Sequence, residues 1–399
     1  MSTGDRPSAD FGTLVEWLAQ KRATTPVSED DQGGVWHIFS YSGAQAALSD
    51  HGTFSSNPGG VLEKLLPDPA DYAALTTGNI LIMDPPDHRR LRKLVSKGFT
   101  TRFVAGLAPR VEAIVDDLLD RMNGSSKIDL ITDLAYPLPV TVIAELLGTP
   151  AADHHLFERW ADTLIANADG STAVRQSDVM QTVARTIGEM SAYVLELLKE
   201  RRVSPRDDLI SRLAVAEVDG ERLRDGEIAG LVSMLLRAGH ITTTLLLGSA
   251  TLLLTERPEI AAELRREPGL LPGAIEETLR LYPSVITVMR RTTRDASVDG
   301  HTIPAGRMVT IWVGSANRDA AQFTEPVRFD PRRQPNAHLS FAHGAHFCLG
   351  APLARLEAKI ALNAMLARWS DLSAGTGAEF YDPRHFVGPK RLPLEVRWS

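Results

Sequence analysis

From about residue 88 to residue 255, apolar positions recur three and four apart, so the segment reads as a succession of helices, each with a buried face. Clusters of Gly, Pro, Asn and Asp interrupt it at 123–126, 148–152, 167–171, 203–206 and 218–225. Two more helices are expected over 258–282, divided by Glu267, Pro268 and Gly269. Ahead of this block, 35–39 alternates like a short strand and 42–49 suits a helix. Residues 57–77 are rich in Pro, Gly and Leu without a clean period and read as loop with short helical pieces. Beyond Pro283 the texture changes. Residues 285–293, 297–299 and 308–313 are β-branched and bounded by turn residues (Asp299 and Gly300; Pro304, Ala305 and Gly306), which predicts short hairpins. Little periodicity follows over 317–339, and a last helix is expected from Pro352, a residue suited to a first turn, to about Trp369. The fold class this pattern implies is mainly α, with small β-sheets at the edges.

Composition narrows the picture. The chain has 399 residues, 43% hydrophobic and 23% charged, as expected of a soluble globular protein with a large core. It contains no repeat and no low-complexity linker, so 1–399 is read as a single domain. The N-terminal MSTGDRPSADFGT has no apolar stretch of the kind a secretory signal needs. The apolar run around Leu245 to Leu254 is broken by Gly248, Ser249 and Thr251 and is too short to span a bilayer, so no membrane is expected. A net charge of −7 argues against general nucleic-acid binding. One cysteine, Cys348, excludes an intrachain disulfide and fits a cytoplasmic protein.

That cysteine lies in FAHGAHFCLGAPLAR, residues 341–355. A lone cysteine is ordinarily a small buried hydrophobe. Here Gly344 and Gly350 flank it, permitting unusual backbone angles and the approach of a flat ligand. The helix entered at Pro352 points its amides back at the sulfur, which favours a thiolate. A thiolate among glycines and amides suits an axial iron ligand. The segment resembles the haem-binding loop of the cytochromes P-450, matching at Phe341, Gly344, His346, Cys348 and Gly350, with Ala342 where the family usually has its first glycine. The resemblance extends along the chain because further motifs follow in family order. It implies the P-450 fold, a helical triangular prism with small peripheral β-sheets, and haem b (iron protoporphyrin IX) bound through Cys348.

Other motifs take their meaning from that resemblance. In EETLRLYP, Glu277 and Arg280 share one helix face and alone would suggest a surface ion pair; the family buries this pair as a structural staple. In DPPDHRRLRKLVSKGFT, residues 84–100, His88 and Arg92 share a face and match the family's contacts to one haem propionate. Arg290, five residues before Asp295, matches a second propionate arginine, and His346 another contact. Two carboxylates on a buried cofactor call for such fixed cationic donors. Arg89, Arg90, Lys93 and Lys97 form either a solvated face or a docking patch for an acidic electron-transfer partner.

LLRAGHITTT, residues 235–244, resembles the family's oxygen-binding segment. Ala238 and Gly239 would leave room for dioxygen, and Thr242 falls on the position whose hydroxyl helps to deliver protons; His240 is given no catalytic role. Ile241 replaces the usual acid. Either water with Thr242 or Thr243 suffices and the enzyme hydroxylates, or the reaction is oxidative coupling or ring closure without oxygen insertion. Arg237 is read as lying on the same helical stripe as the oxygen groove, where it either meets a protein carboxylate or a polar substrate group, or leans to solvent. Val285, Ile286 and Val288 are expected to touch substrate, with 58–79 as a variable pocket wall.

The resemblance thus implies a haem-thiolate monooxygenase acting on a small molecule, of a type that often tailors secondary metabolites. Electrons would come from a separate ferredoxin-type donor and its reductase, because no flavin or nicotinamide domain is fused. A monomer is expected. A haem sensor or electron carrier would need no oxygen groove, and a non-haem helical binding protein would leave the cysteine loop without a purpose.

Overall fold

A computed structural model of the protein describes residues 9–30, 33–168 and 176–399. Its axis is the helix Asp225–Glu256, 32 residues long and apolar on nearly every side, the pattern of a helix enclosed by protein. Asp225 and Glu227 in the first turn favour the positive end of the helix, and Glu227 accepts from the backbone N–H of Arg224 at 2.9 Å. Pro258, at the start of the following helix, fits the stop at Arg257. The long helix is apolar enough to cross a bilayer, yet its middle is packed inside the fold. Around it lie the helices Pro137–Leu146, His154–Ala168, Gln176–Val203, Leu271–Leu281 and Ala351–Arg368. Leu231, Leu246, Ile275, Ala361 and Trp369 are among the buried residues of the large helical core.

The small sheets sit at the periphery, as expected. Val27–Glu29, Val35–Ile38, Met308–Trp312, Thr287–Thr292 and Phe54–Ser55 form one sheet in that order. Within it Val309 pairs with Arg290 in antiparallel register, and Met308–Trp312 runs parallel to Val35–Ile38. Ala296–Val298 and His301–Ile303 make the predicted hairpin around Asp299, which has φ 46°, and Gly300, with φ 78°.

The segment 57–77 contains two short helices, Val61–Leu65 and Pro69–Thr76. Other details differ from the pattern. The helical block also breaks at Thr100, whose hydroxyl accepts from the Phe103 N–H at 3.1 Å and starts a new helix. Lys127–Asp129 is a strand, paired with Pro393–Trp398, which in turn pairs with Trp369–Ala374. These pieces of three and six residues were hidden because their pairing partner lies far along the chain. The break expected at 167–171 falls largely outside the described residues.

Candidate active site

Cys348 is half-buried at the mouth of the helix Ala351–Arg368. Its backbone N–H donates to Phe341 O at 2.9 Å, closing the loop that carries it. Burial pushes the thiol above its ordinary value, while the amides of Gly350 and Ala351 and the cations Arg92 and Arg355 act the other way. Sequence reasoning weighed only the amides; in the fold the apolar surroundings dominate. Gly344 has φ 69°, and a Cβ there would meet Leu48 O at 3.0 Å. Gly350 has an ordinary φ of −81°, and a Cβ there would make ordinary contact with the sulfur at 3.9 Å, so neither backbone angle nor packing demands glycine at this position. Ala342 has φ 58°, which explains why glycine is the usual residue there.

Basic side chains from three separate elements converge beside this loop. His88 and Arg92 come from the helix Asp87–Gly98, Arg290 from a central strand, and His346 from the loop itself. The two imidazoles meet at a tilt of 39°, their centroids 4.1 Å apart. Burial, then the neighbouring cations, hold His88 below its ordinary value; burial, His88 and Arg290 hold His346 at about 3. With both imidazoles held below their ordinary range, the fixed positive charge of the cluster belongs to Arg92 and Arg290. Arg290, lowered by burial to about 10, spends one bond on Met289 O at 2.8 Å; Arg92 donates to Phe347 O at 2.7 Å. His88 Nε2 is buried without a partner among the described residues. Asp84, which receives the Ser55 hydroxyl and the Ser56 N–H, backs the cluster, and Ser56 Oγ lies 3.0 Å from His346 Nε2. Buried donors with unspent bonds beside a thiol fit a haem whose two carboxylates they would receive.

The central helix presents Ala238, Gly239 and Thr242 as partly accessible positions, with Leu235 and Arg237, along a mostly buried stretch. Thr242 Oγ1 donates to Ala238 O at 2.7 Å, and Thr242 O accepts from Ser284 Oγ at 2.8 Å. Thr243 and Thr244 are buried, which leaves Thr242 as the accessible hydroxyl of the three. A Cβ on Gly239 would meet Ile143 Cδ1 at 3.2 Å, so this glycine also lets the neighbouring helix approach. His240 packs edge-on against Tyr136 at 4.4 Å and is pushed by burial to about 4, a core histidine. Arg237 and Ile241 occupy a stripe about 100° round the axis from Ala238 and Thr242, not the same one as the sequence suggested.

The Ser284 contact ties the residue before Val285 to the Thr242 backbone, and Val285 itself is 38% exposed. Ile286 does not share that exposure. It is fully buried with Leu14, Leu18, Phe39 and Trp312, and Val288 packs partly against the core of the five-stranded sheet. Apolar character alone could not separate the two faces of this segment.

Beneath the loop, Glu277 and Arg280 are fully buried and joined by two bonds of 2.7 Å. Arg280 also donates to the carbonyls of Asn317, Pro326 and Arg328, while Glu277 receives Arg333, Asn336 and the N–H of Asp330. A second clamp escaped sequence reasoning. Glu276 takes Arg355 in two bonds of 2.6 and 2.7 Å and His338 at 3.0 Å, and Arg355 stacks 4.5 Å over Phe341. The basic patch is half consumed: Arg90 pairs with Glu227 and Lys93 with Asp219. Arg89, Arg92 and Lys97 line a cleft of about 570 Å³ with His51, His88 and Ala345.

Comparison with known proteins gives a consistent result. The family model described as Cytochrome P450 matches residues 36–379. The chain is 43% identical over 399 residues to cyclomarin C epoxidase CymV of Salinispora arenicola, covering 100% of both chains. It is 42% identical over 393 residues to the erythromycin C-12 hydroxylase of Saccharopolyspora erythraea, covering 97% of this chain and 95% of the other. The solved structure of the open cytochrome P450 EryK from S. erythraea superposes with a TM-score of 0.90 at 40% identity, over 99% of each chain.

Proposed function

The chain belongs to the cytochrome P450 family, and from that premise we propose that it inserts oxygen into a C–H or C=C bond of a secondary metabolite. It is a haem-dependent oxidoreductase of the monooxygenase type that works with a substrate and redox partners. In our reading the chain acts as one cytoplasmic, monomeric domain over 1–399, drawing two electrons from a ferredoxin-type donor and its reductase. The observation that carries the site assignment is the set of unspent donors converging beside Cys348: among the described residues His88 Nε2 has no partner and Arg290 spends one bond, on Met289 O.

Cys348 would hold the iron, and His88, Arg92, Arg290 and His346 the two carboxylates. When bound, haem supplies a redox-active iron that activates dioxygen. The Gly350 amide favours the thiolate, and Phe341 anchors the loop through its carbonyl. Ala238 leaves space over the site, and Thr242 Oγ1 is positioned by Ala238 O to hold and pass a proton. Val285 forms the adjoining apolar wall. Arg89 and Lys97 remain for an acidic donor after Arg90 and Lys93 are taken up by internal pairs.

Oxidative coupling without oxygen insertion is favoured by one feature, the apolar and 7% exposed Ile241 next to Thr242. Reconstitution with a surrogate ferredoxin and reductase, a macrolide and cyclic-peptide panel and product mass analysis tests both. A product heavier by one oxygen atom supports insertion. Products formed only by loss of hydrogen overturn it in favour of coupling.

A further inference from the structure

Arg237 stands in the middle of the enclosed central helix, yet part of its side chain remains accessible, so it fronts an internal space. Among the described residues no carboxylate or carbonyl receives its guanidinium, and burial alone acts on its basicity, in the downward direction. The location of that space follows from the helix. Gly230, Met234, Arg237 and Ile241 are spaced four, three and four apart and share a stripe. The Thr77 and Gly78 backbone lies directly on this stripe, since a Cβ on Gly230 would come 1.8 Å from Thr77 O. Arg237 is two turns further on and about 20° round the axis, so it faces the space beyond the point where the 57–79 segment meets the helix. Thr242 lies about 7.5 Å further along the axis. Met234 and Ile241, its neighbours on the stripe, are buried and apolar and offer nothing to the charge.

A fixed cation in an apolar internal space is costly to leave unpaired, and a guanidinium matches a carboxylate through two parallel N–H···O bonds. We propose that Arg237 binds an acidic group of the substrate, a carboxylate or comparable oxyanion, and so sets which carbon lies beside Thr242. The substrate class is therefore an anionic natural product, and Arg237 is a specificity-determining residue. This rests on the reading of the space as the pocket of a haem monooxygenase.

The test uses probes that need no known substrate. Holoenzyme is titrated, by its Soret shift, with imidazole and with N-substituted imidazolyl alkanoic acids of graded chain length, each beside its methyl ester. Wild-type protein should bind at least one acid about tenfold more tightly than its ester. Arg237→Leu should abolish that preference, and Arg237→Lys should keep part of it. Equal acid and ester affinity throughout the wild-type series, or a preference that survives in Arg237→Leu, overturns the proposal. The reduced, carbon monoxide-bound spectrum of each variant reports the fold and the thiolate. If wild-type protein lacks the thiolate band, the haem-site reading fails separately.

Discussion

Ala342 adopts a left-handed backbone with φ 58°, a conformation that costs a residue with a Cβ about 1–2 kcal/mol. Glycine removes that strain but brings an entropy cost of about 0.5–1 kcal/mol, so Ala342→Gly should stabilise the protein by a few tenths of a kcal/mol to about 1. Urea unfolding of both proteins measures it, and a destabilised variant would contradict the strain. Ile241→Glu returns an acid beside Thr242. It should shift the ratio of oxygenated to coupled product, or the fraction of electrons recovered in product; no change in either would show that this position does not govern proton supply. Glu357 is 2% exposed, its Oε2 has no partner among the described residues, and burial pushes it from an ordinary 4.5 to about 8. The native state then holds a proton that the unfolded chain releases. Its contribution is full below pH 4.5 and is lost as pH rises through about 8. Melting temperatures at pH 6 and pH 8.5 should fall less with pH in Glu357→Gln than in wild-type protein.

At the scale of elements, the helix Asp225–Glu256 carries two adjacent stripes with different duties. Ala238 and Thr242 belong to one, and Gly230, Arg237 and Ile241 to the other, against which the 57–79 segment is seated. Gly230 permits that seating, because a side chain there would collide with the backbone of Thr77. Gly230→Ala should cost more than about 2 kcal/mol, or displace the segment and weaken binding of every imidazole probe. A loss under about 0.5 kcal/mol with unchanged probe affinity would mean that the segment moves aside freely. The opposite lesson comes from 285–288. Its run of apolar residues gave no basis for separating the exposed Val285 from Ile286, committed to the core with Trp312.

Across the whole molecule, the cysteine loop is held from below by two charge networks that bind chain segments far apart. Among the described residues, removing Arg280 would leave Glu277 buried against Arg333 alone among cations, strip the Asn317 and Pro326 carbonyls of their side-chain donor and leave Arg328 O to Arg333. Arg280→Leu should therefore lose about 3–5 kcal/mol of stability and retain haem poorly. Unfolding and haem-loss kinetics check this, and a loss below about 1 kcal/mol would reduce the pair to an incidental contact. The sequence by itself determined the helical class, the cysteine loop, the Glu277 and Arg280 pair and the odd residues Arg237 and Ile241, because period, turn residues and short motifs are local properties. Only the tertiary structure decided what each charge meets. The Glu276 clamp on Arg355, the pairing of Arg90 and Lys93, the lowered basicity of His88 and His346 and the isolation of Arg237 among the described residues all depend on partners or surroundings supplied by distant segments. Burial and pairing are properties of assembled surfaces, and no spacing along one segment contains them.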